Sequence, residues 1–320
     1  MKVLITGAGG FAGRHLIAHL QTAQPDAELY GTLYDAGAHR ALPPNVTYTR
    51  LDLRDVDAVH HLIDTVRPAV IYHLAAQSSP SRAIRQAWQT LQINIRSQLN
   101  IISACCELDL NPRLIAVTSG EIYDATSGIV PQTETMRLLP ANPYALSKIT
   151  QDMMGLQYYL SHQLSIIRVR PFNHTGPGQR ESFVAPDFAM QIARIEAGLQ
   201  APQMHVGNLS AERDFTDVRD VVRAYALLAQ HGISGEAYNV ASNRAISIQY
   251  LLDTLLSLTD IAIDVRVDPD KLRPVDVPTK YGSNAKLRDA TNWTPTIPFE
   301  QTLADLLNDC RQRIQEKTKE

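Results

Sequence analysis

Through the first 170 residues, short runs of β-branched and aliphatic residues alternate with longer amphipathic stretches. The runs at 2–6, 27–32, 46–51, 69–74, 114–118 and 165–169 read as strands, and the stretches at 11–20, 91–108 and 143–160 read as helices. Strand followed by helix at this rhythm predicts an α/β fold with a parallel sheet covered on both faces. Beyond residue 170 the texture changes. Loops rich in Pro and Gly, such as RPFNHTGPGQ, separate a helix at 187–197 from a strand-like piece at 237–240. This pattern predicts two units without a clean linker. The first covers 1–172 with a returning segment at about 213–244, and a smaller substrate-binding unit is formed by 173–212 and 245–320.

Length agrees with two units, since 320 residues is about twice a typical domain. With 44% hydrophobic and 20% charged residues the chain is neither disordered nor fibrous. A formal net charge of -3 gives no electrostatic reason to expect nucleic acid or an anionic membrane as partner. Only seven of the 30 basic residues are lysine, so arginine, whose planar fork grips phosphate, dominates. Apolar runs such as 69–74 fall far short of the ~18 residues of a membrane helix. The opening Met1, Lys2 and VLITG is too short for a signal peptide. Cys105, Cys106 and Cys310 lack metal-ligand spacing and read as reduced structural thiols of a cytoplasmic protein, with no metal site expected.

Gly7, Gly10 and Gly13 stand three apart between the first strand and the first helix. A side chain at such a turn would keep the backbone from a pyrophosphate, and the helix behind it offers oriented NH groups. The turn therefore points to a dinucleotide cofactor, NAD(H) or NADP(H). The choice between them is open: Asp35, suited to a free ribose hydroxyl, sits slightly late after the second strand, and Arg40 is further still. Asp52, in LDLRD, is suited equally to the adenine amino group and to capping the next helix.

Tyr144 and Lys148 lie four apart in NPYALSK, where Asn142 is a good helix cap and Pro143 a good first helical residue. Both side chains should share one helix face, with the lysine charge and the helix dipole expected to lower the tyrosine pKa. That spacing alone is weak, with about 0.3 chance occurrences expected. Its context adds weight, because the predicted strand RLIAVTS carries Ser119 to its carboxyl end, where ligands bind in such sheets.

Taken together, the glycine turn, HLAAQSSP at 73–80, TSGEIY at 118–123, NPYALSK and RPFNHTGPGQ resemble the extended short-chain dehydrogenase/reductases, the family of NAD-dependent nucleotide-sugar epimerases, dehydratases and reductases. The resemblance runs over essentially the whole chain, through DFTDVRD, YNVAS and KLRPVDVP, and its later stretches are most similar to reductases of GDP-4-keto-6-deoxy sugars. It implies a Rossmann-type doubly wound sheet with a discontinuous C-terminal substrate domain. It implies Ser119, Tyr144 and Lys148 as catalytic residues. It further implies a cofactor site of Gly7, Gly10, Phe11, Ala12, Gly13, Asp52, Leu53, Leu74, Ala75, Ala76, Asn94 and Pro171, completed by Tyr144 and Lys148. One departure is Asp124, where the family commonly has glycine.

The implied substrate is a nucleotide-diphosphate sugar, with GDP favoured, met by Ser78, Ser119, Glu121, Asn173, Val184, Arg213, Arg273 and Asp276. Arg213 and Arg273 are expected on its pyrophosphate. Arg168 and Arg170 are expected to be structural, and His174 a hydrogen-bonding loop residue. Glu121 is open between a contact to a substrate hydroxyl and proton transfer. The implied activity is reduction of a C4 ketone giving GDP-D-rhamnose; a 4,6-dehydratase or 4-epimerase that recycles its cofactor is the alternative. A silent binding protein on the same scaffold is a third reading, against which the intact Ser119, Tyr144 and Lys148 count. The helices at 91–108 and 143–160 are apolar over more than one face, as in a homodimer paired across a two-fold axis or in helices simply buried under the sheet.

Overall fold

The computed structural model describes residues 1–34, 42–124, 126–271 and 277–319. Asp35, Arg40, Arg273 and Asp276 lie outside the described residues. Strands β1 (Lys2–Thr6), β2 (Glu28–Leu33), β3 (Thr47–Arg50), β4 (Val70–His73), β5 (Arg113–Val117) and β6 (Ile166–Pro171) join Ala237–Val240 in one sheet. From that last strand the order runs β6, β5, β4, β1, β2, β3, and every pairing is parallel. This is the Rossmann-type doubly wound arrangement. The order reverses between β1 and β4, which opens a crevice at the carboxyl ends of these strands.

Burial on both faces explains why the strands are almost continuously apolar. Val3 and Ile5 point to the face covered by α1 (Phe11–Ala23) and helix Val218–His231, where Leu16, Ile17, Val221 and Leu228 are buried. Leu4 and Ile71 point to the other face, packed with Val59 and Ile63 of α2 (Val56–Val66) and Ile101 of helix Ser97–Glu107. A separate cluster joins helices Val184–Glu196, Ile248–Leu256 and Phe299–Lys319 around Phe188, Leu251, Leu303 and Met204. A small seam of Ile122, Tyr123, Phe172 and Ala241 completes the core. Leu287 and Trp293 belong to the first cluster although they lie far along the chain. The Trp293 indole donates to the Asp220 carbonyl at 2.9 Å.

Two elements differ from the reading of the sequence. The stretch 91–108 is not one regular helix: Ala87–Leu91 passes through a π-helical turn, Gln92–Arg96, before Ser97–Glu107. Inserting that turn rotates Asn94 to full burial. The helix expected at 187–197 starts earlier, at Val184, because Pro186 falls within its first turn, where a missing NH costs nothing. Among the described residues no helix is long and apolar enough to cross a membrane, and no group of three or more His, Cys, Asp or Glu is placed to hold a metal ion.

Helix Pro143–His162 is anchored by a buried charge cluster. Asp152 is fully buried and takes Arg168 at 2.7 Å and Arg170 at 2.8 Å, both from β6. Arg168 and Arg170 thus hold the scaffold together. Removing one partner of such a cluster leaves uncompensated buried charge. Asp152→Ala is expected to lower unfolding stability by about 3–5 kcal/mol in denaturant titrations; a loss below about 1 kcal/mol would show that the cluster is not an anchor.

Candidate active site

The glycine turn closes against the loop after β4. Gly7 has φ +70°, and a Cβ on it would lie 3.0 Å from the Ala75 backbone. A Cβ on Gly13 would stand only 2.4 Å from the Gly7 carbonyl oxygen. The Thr6 hydroxyl fixes this approach, bonded to His73 Nδ1 at 2.9 Å and accepting from the Ala75 amide at 3.2 Å. α1 then begins at Phe11, behind Gly10, whose cap position carries no side-chain hydrogen bond. A bare helix N-terminus over a strand-end crevice has room and NH donors for a pyrophosphate. Phe11 is stacked on His174 with ring centroids 6.0 Å apart, Ala12 packs at the edge of the first cluster, and His174 Nδ1 bonds the Phe172 carbonyl at 3.0 Å.

Asn94 locks the opposite wall. Its side chain accepts from the Gln77 amide at 2.8 Å and donates to the Ser147 hydroxyl at 2.8 Å, so it ties the loop carrying Ala75 and Ala76 to helix Pro143–His162. Leu53 is buried, and its carbonyl accepts from Asn100 at 2.9 Å. Leu74 packs against the first cluster, and Pro171 ends β6 opposite Val240. Asp52 does not cap α2: Asp55 does so by accepting from the Ala58 amide at 3.1 Å, one turn nearer the helix. The Asp52 carboxylate is instead gripped by Arg54, with hydrogen bonds at 3.0 Å and 2.5 Å that hold it below its ordinary pKa.

Asn142 caps helix Pro143–His162 by accepting from the Ala145 amide at 2.9 Å. Two residues past this cap, in the first turn, Tyr144 is hydrogen-bonded to Ser119, which stands at the end of β5. Lys148 is 4% exposed, and its ammonium donates to the Val117 carbonyl at 2.9 Å. Ser119, Tyr144 and Lys148 are therefore brought together at the carboxyl end of β5. The expected lowering of the tyrosine pKa is not found. Burial, the dominant effect, pushes the Tyr144 phenol up to about 12, the Glu121 charge adds to this, and only the Ser119 hydrogen bond opposes it. Burial also pushes Lys148 down to about 7. Desolvation dominates because Tyr144 and Lys148 are themselves buried.

On the substrate side, Glu121 follows Ser119 in a tight turn, its amide donating to the Ser119 hydroxyl at 3.1 Å. Its carboxylate meets Lys280 at 3.3 Å. Arg213 turns its guanidinium to the backbone, donating to the carbonyls of Glu212 at 2.7 Å and Val277 at 2.8 Å. It thereby braces the chain just past residue 276. Ser78 and Asn173 are exposed, and Val184 opens the helix of the second cluster. Asp124 closes its loop by accepting from the Thr126 amide at 2.9 Å and hydroxyl at 2.6 Å, work that a glycine would leave undone. Lys280, Arg54 and Gln77 were not singled out from the sequence. Lys280 lies in no motif, and the positions of Arg54 in LDLRD and of Gln77 in HLAAQ are the only signals those two offer.

The chain is similar to several known proteins. A family model described as GDP-mannose 4,6 dehydratase matches residues 4–306. GDP-6-deoxy-D-mannose reductase of Pseudomonas aeruginosa is 34% identical over 99% of both chains. GDP-mannose 4,6 dehydratase of Drosophila melanogaster is 25% identical over 95% of this chain and 84% of its own. The structure of RMD from Pseudomonas aeruginosa complexed with NADPH superposes with a TM-score of 0.83 and 33% identity, covering 98% of this chain and 99% of that one.

The depressed Lys148 pKa has a measurable consequence. Between pH about 7 and 10.5 the unfolded chain binds the proton that the folded chain has lost, so the contribution of Lys148 to stability rises with pH across that window. Lys148→Met removes the buried ammonium, and its stability relative to wild type should be highest at or below pH 7 and decline towards pH 10 in urea titrations. A difference independent of pH would contradict this electrostatic picture.

Proposed function

The chain belongs to the GDP-mannose 4,6 dehydratase family, and we propose that within it the protein reduces the C4 ketone of GDP-4-keto-6-deoxy-D-mannose to give GDP-D-rhamnose. One observation carries the chemistry: the Ser119 hydroxyl, the Tyr144 phenol and the Lys148 ammonium meet at the end of β5, beside a glycine cradle whose missing Cβ atoms leave room for a dinucleotide. The substrate is read from the full-length relative named as a GDP-6-deoxy-D-mannose reductase.

A reduced nicotinamide, NADH or NADPH, would supply the hydride. Residues Gly7 to Gly13, Ala75, Ala76, Asn94 and Lys148 are the ones that would hold it. Tyr144, kept as the phenol by burial, gives its proton to the ketone oxygen as the alkoxide develops. Ser119 donates a hydrogen bond to that same oxygen and fixes its place. The Lys148 ammonium sets positive charge one turn along the helix, where it would hold the cofactor ribose and compensate the phenolate left behind. Glu121 and Asn173 face the sugar, Arg273 is assigned to the diphosphate, Asp276 to orienting that arginine or binding a hydroxyl, and Arg213 braces the chain just past them through the Val277 carbonyl.

We further assign the protein to the cytoplasm, in keeping with Cys105, Cys106 and Cys310 standing outside any disulfide, and to a homodimer. Helix Pro143–His162 exposes Leu146 (43%), Met153 (38%) and Leu160 (65%), and helix Ser97–Glu107, tied to it by Gln98 donating to the Gln151 carbonyl at 2.8 Å, exposes Leu99. A second copy would cover that apolar stripe.

Two measurements check these assignments. Wild type mixed with the keto sugar and NADPH or NADH should consume the reduced cofactor, and Tyr144→Phe should lower turnover by roughly 10²–10⁴-fold. No consumption with either cofactor, using ketone freshly made by a dehydratase, would defeat the reductase reading in favour of a redox-neutral relative. Light scattering should give twice the 35.5 kDa chain mass, falling to a single chain in Met153→Asp; a monomeric wild type would remove the dimer.

A further inference from the structure

The pairing of Glu121 with Lys280 joins parts of the chain far apart in sequence. Lys280 lies in the short strand Thr279–Lys280, aligned with Glu212–Arg213, and its carbonyl accepts from the Asp214 amide at 3.0 Å. Its side chain is only 8% exposed, and its ammonium is 3.3 Å from a Glu121 oxygen. An ammonium so far from water requires an anionic partner. Of the acids nearby, Glu212 on the adjoining strand accepts from the Thr279 hydroxyl at 2.8 Å, and Asp214, just past that strand, accepts from the Ser242 amide at 2.7 Å and the Gly282 amide at 3.2 Å.

Glu121 is close enough to the chemistry to matter. Its amide is bonded to the Ser119 hydroxyl, and its charge is felt at Tyr144. A ketone held by Ser119 and Tyr144 acidifies the hydrogens on the carbons next to it. A carboxylate facing those carbons could take such a proton, leaving an enolate whose oxygen Tyr144 protonates. That path exchanges carbon-bound hydrogen with solvent, with no hydride moved. An ammonium paired with a carboxylate favours its charged form, which makes it a poorer base, and a direct ion pair also fixes its direction.

We propose that Lys280 is a specificity-determining positioning residue, which by pairing with Glu121 withholds this carboxylate from the carbon beside the ketone and confines the site to hydride transfer. The inference rests on the ketone-reductase reading above for its substrate. It goes beyond that reading by assigning a task to a lysine outside every motif.

The test measures carbon-bound deuterium in GDP-4-keto-6-deoxymannose recovered from D2O after incubation with enzyme and NADP⁺, so that no hydride is available. Wild type and Lys280→Arg should exchange at the enzyme-free rate. Lys280→Met and Lys280→Gln should exchange roughly tenfold faster or more, and Glu121→Gln combined with Lys280→Met should return to the enzyme-free rate. Two neutral variants guard against one that folds poorly, and binding of NADPH to each verifies an intact site. The proposal is overturned if wild type already exchanges, if neither neutral variant exceeds it, or if the double variant exchanges as fast as Lys280→Met. Consumption of NADPH, followed separately, reports on the reductase assignment, so either idea can fail without the other.

Discussion

A single carboxylate sets the frame on which this site is built. Asp152 sits two turns beyond Tyr144 on the same helix, and its two oxygens take the guanidinium groups of Arg168 and Arg170 from β6. Thr118, the residue before Ser119, reaches the same carboxylate at 3.4 Å. Arg170 continues outward to the Tyr123 hydroxyl at 2.9 Å and the Glu134 carbonyl at 3.0 Å, and Tyr123 donates to Asn239 at 2.6 Å. The helix carrying Tyr144 and Lys148, the strand end carrying Ser119 and the loop past Glu121 are thus referred to one buried charge. With both guanidinium groups on the one carboxylate, the cluster is compatible with burial and ties the helix to β6.

Rigid burial has an electrostatic consequence at the reacting groups. Desolvation moves Tyr144 up to about 12 and Lys148 down to about 7, in both cases disfavouring the charged form. It also moves His73 down to about 3, so the imidazole beneath the glycine turn stays neutral and adds no second cation near Lys148. A phenol held neutral is suited to giving a proton to an alkoxide. In such a site, hydrogen bonds to a developing charge are stronger than they would be in water. Glu121 is the exception, a carboxylate with 36% of its side chain exposed, and Lys280 stands against it.

Much of this was legible in the chain. The strand rhythm, the spacing of Gly7, Gly10 and Gly13, and the cap Asn142 followed by Pro143 are local signals, and each is realised where local geometry demands it. Features that depend on distant contacts were not legible. The tyrosine pKa was misjudged because neighbours four residues apart say nothing of burial by the rest of the fold. The cap of α2 is Asp55 and not Asp52, a choice between two nearby acids that only the start of the helix decides. The π-helical turn at Gln92–Arg96 follows from Asn94 reaching Gln77 and Ser147, and Lys280 acquires its partner only through the pairing of Thr279–Lys280 with Glu212–Arg213.

The central claim is that this frame directs a hydride to a ketone carbon while Tyr144 supplies the proton. Its most direct test uses reduced nicotinamide dinucleotide deuterated at the transferable position, incubated in ordinary water with GDP-4-keto-6-deoxy-D-mannose. The account predicts a sugar product carrying one deuterium on the carbinol carbon and an equal amount of oxidised cofactor. Product without deuterium, formed while the added cofactor stays reduced, would contradict it and place the enzyme among its redox-neutral relatives.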